Sequence, residues 1–337
     1  MTAPAASSSV DKSWLKGLKQ YEAPTPGRSA WQIANSVIPY IALFYLAYRS
    51  LEISYWLTLL LATLAAGFMV RIFIIFHDCC HGSFTKSQRA NRIIGTITGI
   101  ITFTPYDQWK HSHAVHHATA GDLDRRGVGD VYTMTADEYL ALPPIKRLGY
   151  RLYRFPLVMF GLGSTFVFLI GHRFWHPKAS PRERMSVIWT NLALLGIFIV
   201  MSLLIGWREY ILVQFPILFF AAAAGVWLFY VQHQFESVYW ERHERWDFIQ
   251  AATLGASYYK LPPLLQWFTG NIGFHHIHHL NPRIPNYLLE KCQRETPRFQ
   301  EIRPITLQSS LKCLGLRLWD EKEHKLVGFG ALKGSGS

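Results

Sequence analysis

The stretch ISYWLTLLLATLAAGFMVRIFIIFHDCCH, residues 53–81, decides the fold. Its apolar part, Ile53–Phe76, contains no acidic residue and one basic residue, Arg71. A helix needs about 20 residues to cross the hydrocarbon of a bilayer, so this run spans it and projects beyond. Arg71 lies about one turn from the end of the run, where a long side chain is expected to snorkel to the interface. The apolar character stops abruptly at His77-Asp78-Cys79-Cys80-His81. Histidines four apart share a helix face, so both rings can reach one metal ion.

Four further apolar runs accompany it: Trp31–Tyr48, Phe155–Gly171, Met185–Gly206 and Tyr210–Gln232. Short polar connections pair 31–48 with 53–76 and 185–206 with 210–232 as helical hairpins. A weaker run, Ile93–Tyr106, is short and rich in Thr and Gly, and reads as an interfacial or re-entrant segment. Half of the 337 residues are apolar and only 17% are charged, against about a quarter in soluble domains. This composition excludes a disordered chain. The four cysteines show no CxxC spacing or disulfide framework and fit a reducing compartment. Of the 34 Lys and Arg residues, 31 fall in the hydrophilic stretches 1–30, 77–154, 172–184 and 233–337, which favours a cytoplasmic placement for those stretches. The net charge of +12 would also suit nucleic acid, but that role leaves the apolar runs unexplained.

The fifteen histidines are concentrated in His77-Asp-Cys-Cys-His81, His111-Ser-His113-Ala-Val-His116-His117 and His275-His276-Ile-His278-His279. In HxxHH the first two histidines are helical neighbours and the third lies about 100° round, so one turn can serve two metals. Two such triplets (His113, His116, His117 and His275, His278, His279) with His77 and His81 make eight ligands. His233, just past the last apolar run, makes a ninth. Structural zinc takes four ligands, commonly with cysteine, so this number argues for two ions. Imidazole alone does not select among Zn, Cu, Fe and Ni. Neutral ligands leave two cations uncompensated, and carboxylates are expected to orient the rings and balance the charge. Asp78, Asp107, Asp122, Asp124, Asp130 and Glu236 are the candidates by proximity, with His111 and His276 as supporting histidines off the template. The isolated His172, His176, His243 and His324 read as ordinary interfacial or core residues.

A single site requires every cluster on one side of the bilayer. Three long runs separate His117 from His233, and an odd number of crossings would split the site. Phe155–Gly171, the shortest and interrupted by Gly161 and Gly163, is the one expected not to cross. The reading is an all-α integral membrane protein: four spans (31–48, 53–76, 185–206, 210–232) in two hairpins, interfacial or re-entrant segments, and a cytoplasmic histidine-rich cap. Residues 1–30 form a flexible lead-in, 31–300 the membrane domain with its cap, and 301–337 a cytoplasmic tail. Both termini are expected in the cytoplasm.

The segments His77-Asp-Cys-Cys-His81-Gly-Ser-Phe, His113-Ala-Val-His116-His117-Ala-Thr-Ala-Gly-Asp and His275-His276-Ile-His278-His279 resemble, in order and spacing, the three histidine boxes of membrane fatty acid desaturases. The likeness covers about residues 30–300 and is nearest to the acyl-lipid Δ12/ω-6 and ω-3 branch, which shares the HxxxH first box. It implies a diiron centre on His77, His81, His113, His116, His117, His275, His278 and His279, with dioxygen as co-substrate. His233 resembles the family's additional histidine. Acyl-CoA members carry a ligating Asn four residues before it, where Phe229 stands here. The chain shows no recognisable cytochrome b5-like module, so the resemblance implies a separate ferredoxin or cytochrome b5-type donor.

The expected reaction removes two hydrogens from adjacent methylenes of a fatty acyl lipid to leave a cis double bond. A diiron hydroxylase or ketolase of an apolar substrate is the alternative within the same chemistry. A histidine-rich metal transporter or zinc-bearing receptor-like protein is the alternative of another class. Ion pathways place ionisable groups inside the spans, whereas these histidines lie at the ends of the spans or beyond them.

Overall fold

Four helices of the computed structural model, which describes residues 14–334, are long and apolar enough to cross a membrane. They are α1 (Pro26–Ser50), α2 (Tyr55–His81), α6 (Pro181–Ile205) and α7 (Trp207–His233). Between them lie α3 (Gln88–Ile101), α4 (Tyr106–Thr119) and α5 (Pro144–Tyr153). After them come α8 (His275–Leu280) and α9 (Asn286–Glu295). The protein is an all-α membrane protein. Its only strands among the described residues form two small pairs, the parallel β1 (Tyr259–Lys260) with β2 (Ile305–Thr306) and the antiparallel β3 (Leu318–Asp320) with β4 (Lys325–Val327).

The expected hairpins are present. Residues 51–54 join α1 to α2, and Gly206, at φ +91°, turns α6 directly into α7. Each helix starts where its sequence favours it. Pro26 and Pro181 occupy first-turn positions, where a missing N–H costs nothing. Ser180 and Glu183 close a capping box on α6. Within the apolar window of α2, 56% of the residues are buried, against 6% in α6, so α2 forms the centre and α6 a lipid-facing rim. Arg71 does not snorkel. It is buried on α2, where its guanidinium stacks 3.9 Å over Trp267 and donates to the Trp267 carbonyl and Asn35 Oδ1. A neighbouring indole and amide satisfy the charge that the interface was expected to take.

Two segments show apolar faces turned outward. On α3, Ile93 and Ile97 are exposed while Asn91, Gly95, Thr98 and Gly99 face the protein. On α5, Ile145, Leu148 and Leu152 are exposed and Tyr150 is buried. These arrangements suit helices lying along a bilayer surface. Beyond α5, the segment Leu157–Arg173 meets it at a 67° bend and begins as a π-helical turn, Leu157–Gly163. The run 155–171 thus belongs to a bent pair and not to one straight rod.

The two terminal regions are more structured than the sequence suggests. The described part of the lead-in forms helical turns, Trp14–Gly17 and Leu18–Tyr21. Leu18 and Tyr21 pack with Leu289 and Phe299, and the Tyr21 hydroxyl donates to Glu295 at 3.0 Å. Residues 1–13 lie outside the described region. At the other end, residues expected as a tail fold onto the cap. The Trp319 backbone N–H donates to Met134 O, and the Trp319 ring stacks on that of Trp240 at 5.9 Å. The buried Arg154 guanidinium joins the cap to the spans, donating to Thr133 Oγ1 at 3.0 Å, Gln234 Oε1 at 2.9 Å, the Tyr230 hydroxyl and the Leu316 carbonyl. Its two terminal nitrogens exchange water for neutral oxygen acceptors and not for a carboxylate.

Close approach of α3 to α2 and α4 depends on Gly95, where a β-carbon would sit 2.3 Å from the Tyr106 ring and 3.0 Å from Cys79 Cβ. Gly95→Val is expected to destabilise the protein by about 1–3 kcal/mol through overpacking. The check is thermal unfolding in detergent, and an unchanged midpoint would contradict this packing.

Candidate metal centre

The site lies at the C-terminal ends of α2 and α7. His77 and His81 form the last turn of α2, and His233 is the last residue of α7. Helix α2 stops at once because Gly82 takes φ +71°, letting its N–H bond Cys79 O while the Ser83 N–H bonds Asp78 O. Helix α4 starts after Pro105 and carries His113, His116 and His117. The short α8 carries His275, His278 and His279. Eight of these nine residues are buried and His81 is half-buried.

All nine fall into two groups. His77, His81, His113, His117 and His278 form one, and His116, His233, His275 and His279 the other. Within each group the ligand atoms lie within 4.8 Å of one another. The division within each HxxHH differs from the expected one. The first and third histidines stay together and the second crosses over, because residues four apart lie only about 40° apart round a helix. On α4 the first and third join the five-membered group and His116 the other. On α8 they join the four-membered group and His278 the other. The two triplets therefore serve both groups in opposite proportions, and the rings of His117 and His279 stack across the division at 4.1 Å.

The ring nitrogens fit metal ions better than one another. His117 Nε2 lies 3.1 Å from Nε2 of both His113 and His278. His233 Nε2 lies 3.2 Å from His116 Nε2 and 3.0 Å from His275 Nε2. An imidazole nitrogen offers either one proton or one lone pair, so neither hub can hydrogen-bond both neighbours. Two nitrogens bound at right angles to one ion, at bonds of about 2.1 Å, stand about 3 Å apart. The buried Nε2 atoms of His81 and His279 also lack any hydrogen-bond partner, a costly arrangement in the absence of an ion. Burial, reinforced by the neighbouring imidazoles, pushes His113, His117, His275, His278 and His279 well below the usual histidine range. The rings are thus held neutral, the form that ligates.

Three of the outer nitrogens are fixed by acceptors. His77 Nδ1 faces Asp78 Oδ1 at 3.3 Å, and Asp78 Oδ2 accepts from both the backbone N–H and the side-chain amide of Asn286. His116 Nδ1 bonds Asp130. Gly129, at φ +72°, makes this possible, since a β-carbon there would meet Ser112 O at 2.9 Å and His116 Cβ at 3.1 Å. His233 Nδ1 donates to the Gly255 carbonyl at 3.2 Å. A backbone acceptor of this kind leaves no mark in sequence. Asn286 was likewise missed, although it stands just beyond the third box.

Other candidates sit elsewhere. Asp107, at the start of α4, pairs with Arg92 and Arg182 about two turns from the histidines. Asp122 is taken up by Arg125, His243 and the Asp124 N–H, and Asp124 pairs with Arg242. Glu236 is exposed beyond α7. His111 points outward to Glu183 at 3.4 Å. His276 is buried on the far side of α8, bonded to Gln293 Oε1 at 2.8 Å, and acts only by seating the helix. Helical phase explains His111 and His276, because neighbours in sequence on a helix point to different faces.

An apolar cavity of about 590 Å³ opens beside the histidines. His77, His113, His275, Trp109 and Phe229 line its upper part, and residues of α2, α7 and the bent segment line the rest. The Phe229 ring lies 5.1 Å from that of His116 and 5.2 Å from that of His233, so an apolar group borders the four-histidine set.

The sequence profile of the fatty acid desaturase family matches residues 54–307. A fatty acid desaturase of Bacillus subtilis is 49% identical over 322 residues, which cover 96% of this chain and 92% of its own. A probable fatty acid desaturase of Sorghum bicolor is 29% identical over 80% of this chain and 70% of its own. An sn-1 acyl-lipid omega-3 desaturase (ferredoxin) of Synechocystis is 28% identical over 66% of this chain and 62% of its own. The likeness read from the three histidine boxes therefore extends over most of the polypeptide.

Asp130→Ala removes the acceptor on His116 and is expected to weaken metal retention about 10–100-fold, measured by chelator competition and metal analysis. Retention equal to that of the parent would remove Asp130 from the site. The metal-free protein should also be acid-labile. Unfolded histidines take up protons below about pH 6.5, whereas the buried ones do not, so stability falls as the pH drops through that value. Thermal midpoints of the metal-free form that stay level between neutral and mildly acidic pH would contradict this.

Proposed function

The chain belongs to the fatty acid desaturase family, and from that premise we propose that it places a cis double bond in an acyl chain of a membrane lipid. As a member of that family it is an oxidoreductase. The observation that carries the fuller reading is the position of two groups of neutral imidazoles at the head of an apolar cavity. We assign His77, His81, His113, His117 and His278 to one iron ion and His116, His233, His275 and His279 to a second. When bound, the two irons supply the dioxygen-dependent oxidation that an unactivated methylene needs, since such a group has no acidic proton or leaving group.

The polypeptide binds and orients. Apolar side chains such as Phe73, Ile74 and Phe229 exclude water from the chain in the cavity and hold its methylenes beside the histidines. Asp78, Asp130 and the Gly255 carbonyl hold protons on the outer nitrogens of His77, His116 and His233, so the opposite nitrogens of those rings face inward as lone pairs. The acyl-lipid assignment is supported by relatives such as the sn-1 acyl-lipid omega-3 desaturase of Synechocystis. A Δ12/ω-6 position is the one suggested by the HxxxH first box. The donor is proposed to be a separate ferredoxin or cytochrome b5-type protein, as the names of the ferredoxin-dependent relatives suggest. Four crossings with both termini and the cap in the cytoplasm fit the basic residues beside the spans. In this reading residues 31–300 form the desaturase domain, flanked by 1–30 and 301–337.

Expression in a host lacking polyunsaturated lipids should yield a Δ12 diene, identified by gas chromatography with mass spectrometry. A hydroxylated or keto product instead would transfer the chain to the hydroxylase or ketolase reading. His278→Ala and His279→Ala, one from each group, should each lower iron content and abolish double-bond formation. Full iron and full activity in both would overturn the assignment, and stoichiometric zinc in place of iron would overturn the chemistry.

A further inference from the structure

We infer that Leu218 and Gly225 on α7 set how deep an acyl chain descends, and so which methylenes stop beside the histidines. This rests on the desaturase reading. Leu218, Ala221, Ala222, Gly225 and Phe229 recur every three to four residues, so one face of α7 forms a continuous wall of the cavity. From Leu218 to Phe229 that wall is about 16 Å long. Along α2 and α7 the cavity lining changes in polarity from one end to the other. His77, Ser112, Asp130 and Gln232 line the upper end, whereas its deepest residues on α2 and α7, Met69 and Leu218, are apolar. An acyl chain therefore keeps its ester end near the cap and points its methyl end at the bottom.

The bottom is firm. Met69 and Leu218 are each 2% exposed and belong to the same core cluster as Ala66 and Ile217. Gly225 stands about two turns above Leu218, and a β-carbon built on it meets no described atom within 4 Å. It borders the cavity, so a larger side chain there has open space to fill and would raise the floor. Leu218→Ala would lower it.

The test uses the full-length parent protein and three variants, with double-bond position and acyl chain length read by mass spectrometry of the lipids. Gly225→Leu should move the bond toward the methyl end and favour shorter chains. Leu218→Ala should move it toward the ester end and favour longer ones. Gly196→Leu, on lipid-facing α6 where a β-carbon also meets nothing within 4 Å, should match the parent. Iron content should remain at the parent level in all three. Should one cavity variant fail to accumulate, the shift in the other decides. Parent-like bond positions and chain lengths in the cavity variants that do accumulate would overturn the depth assignment while leaving the desaturase reading intact. No double bond from the parent would overturn both.

Discussion

Nine imidazoles gathered in a buried space impose a severe electrostatic condition. Their facing nitrogens cannot all be satisfied by one another, since each offers a single proton or a single lone pair. Protonating the rings would bring like charges together away from water. Cations at the two foci remove both difficulties, and much of the surrounding architecture holds the rings ready for them. Helix α2 ends on His81, α7 ends on His233, and the outer nitrogens of His77, His116 and His233 are tied to a carboxylate or a carbonyl. Arg154 adds a brace through neutral acceptors, joining the loop that follows Asp130 to the end of α7.

Much of this was legible because membrane helices and metal sites both leave dense local signals. Long runs without charge specify spans, and histidines three and four apart specify rings sharing a helix. What was hidden depends on long-range geometry. The partition of each HxxHH reflects which neighbouring helix faces which side. Gly255 contributes only a carbonyl, and Asn286 acts through an aspartate more than 200 positions away. Proximity in sequence gave poor guidance to the carboxylates: Asp78 and Asp130 reach ligand rings, whereas Asp107 and Asp122 are neutralised by arginines. The described parts of the two ends are also anchored more firmly than their composition suggests. Scattered polar residues conceal the few apolar anchors, among them Leu18, Tyr21 and Trp319, that pin them down.

The apolar elements divide the remaining work. Helix α2 is buried among the other spans and carries the first two histidines, so the metal centre rests on the most enclosed part of the bundle. Helices α3 and α5 turn isoleucines and leucines outward, away from the protein. Such helices suit the boundary between hydrocarbon and water, which would place the cavity across that boundary. One end then meets polar groups beside the histidines and the other lies among lipid-level side chains.

The crossed allotment of the two triplets also bears on the order in which the molecule is built. Four of the five rings in one group are present once the ribosome has passed residue 117, whereas three of the four in the other come from positions 233–279. A nascent or truncated polypeptide could thus frame one half of the centre but never the pair. Completion waits for the last third of the chain to dock, so the two groups of rings stand together only after most of the cavity walls are in place.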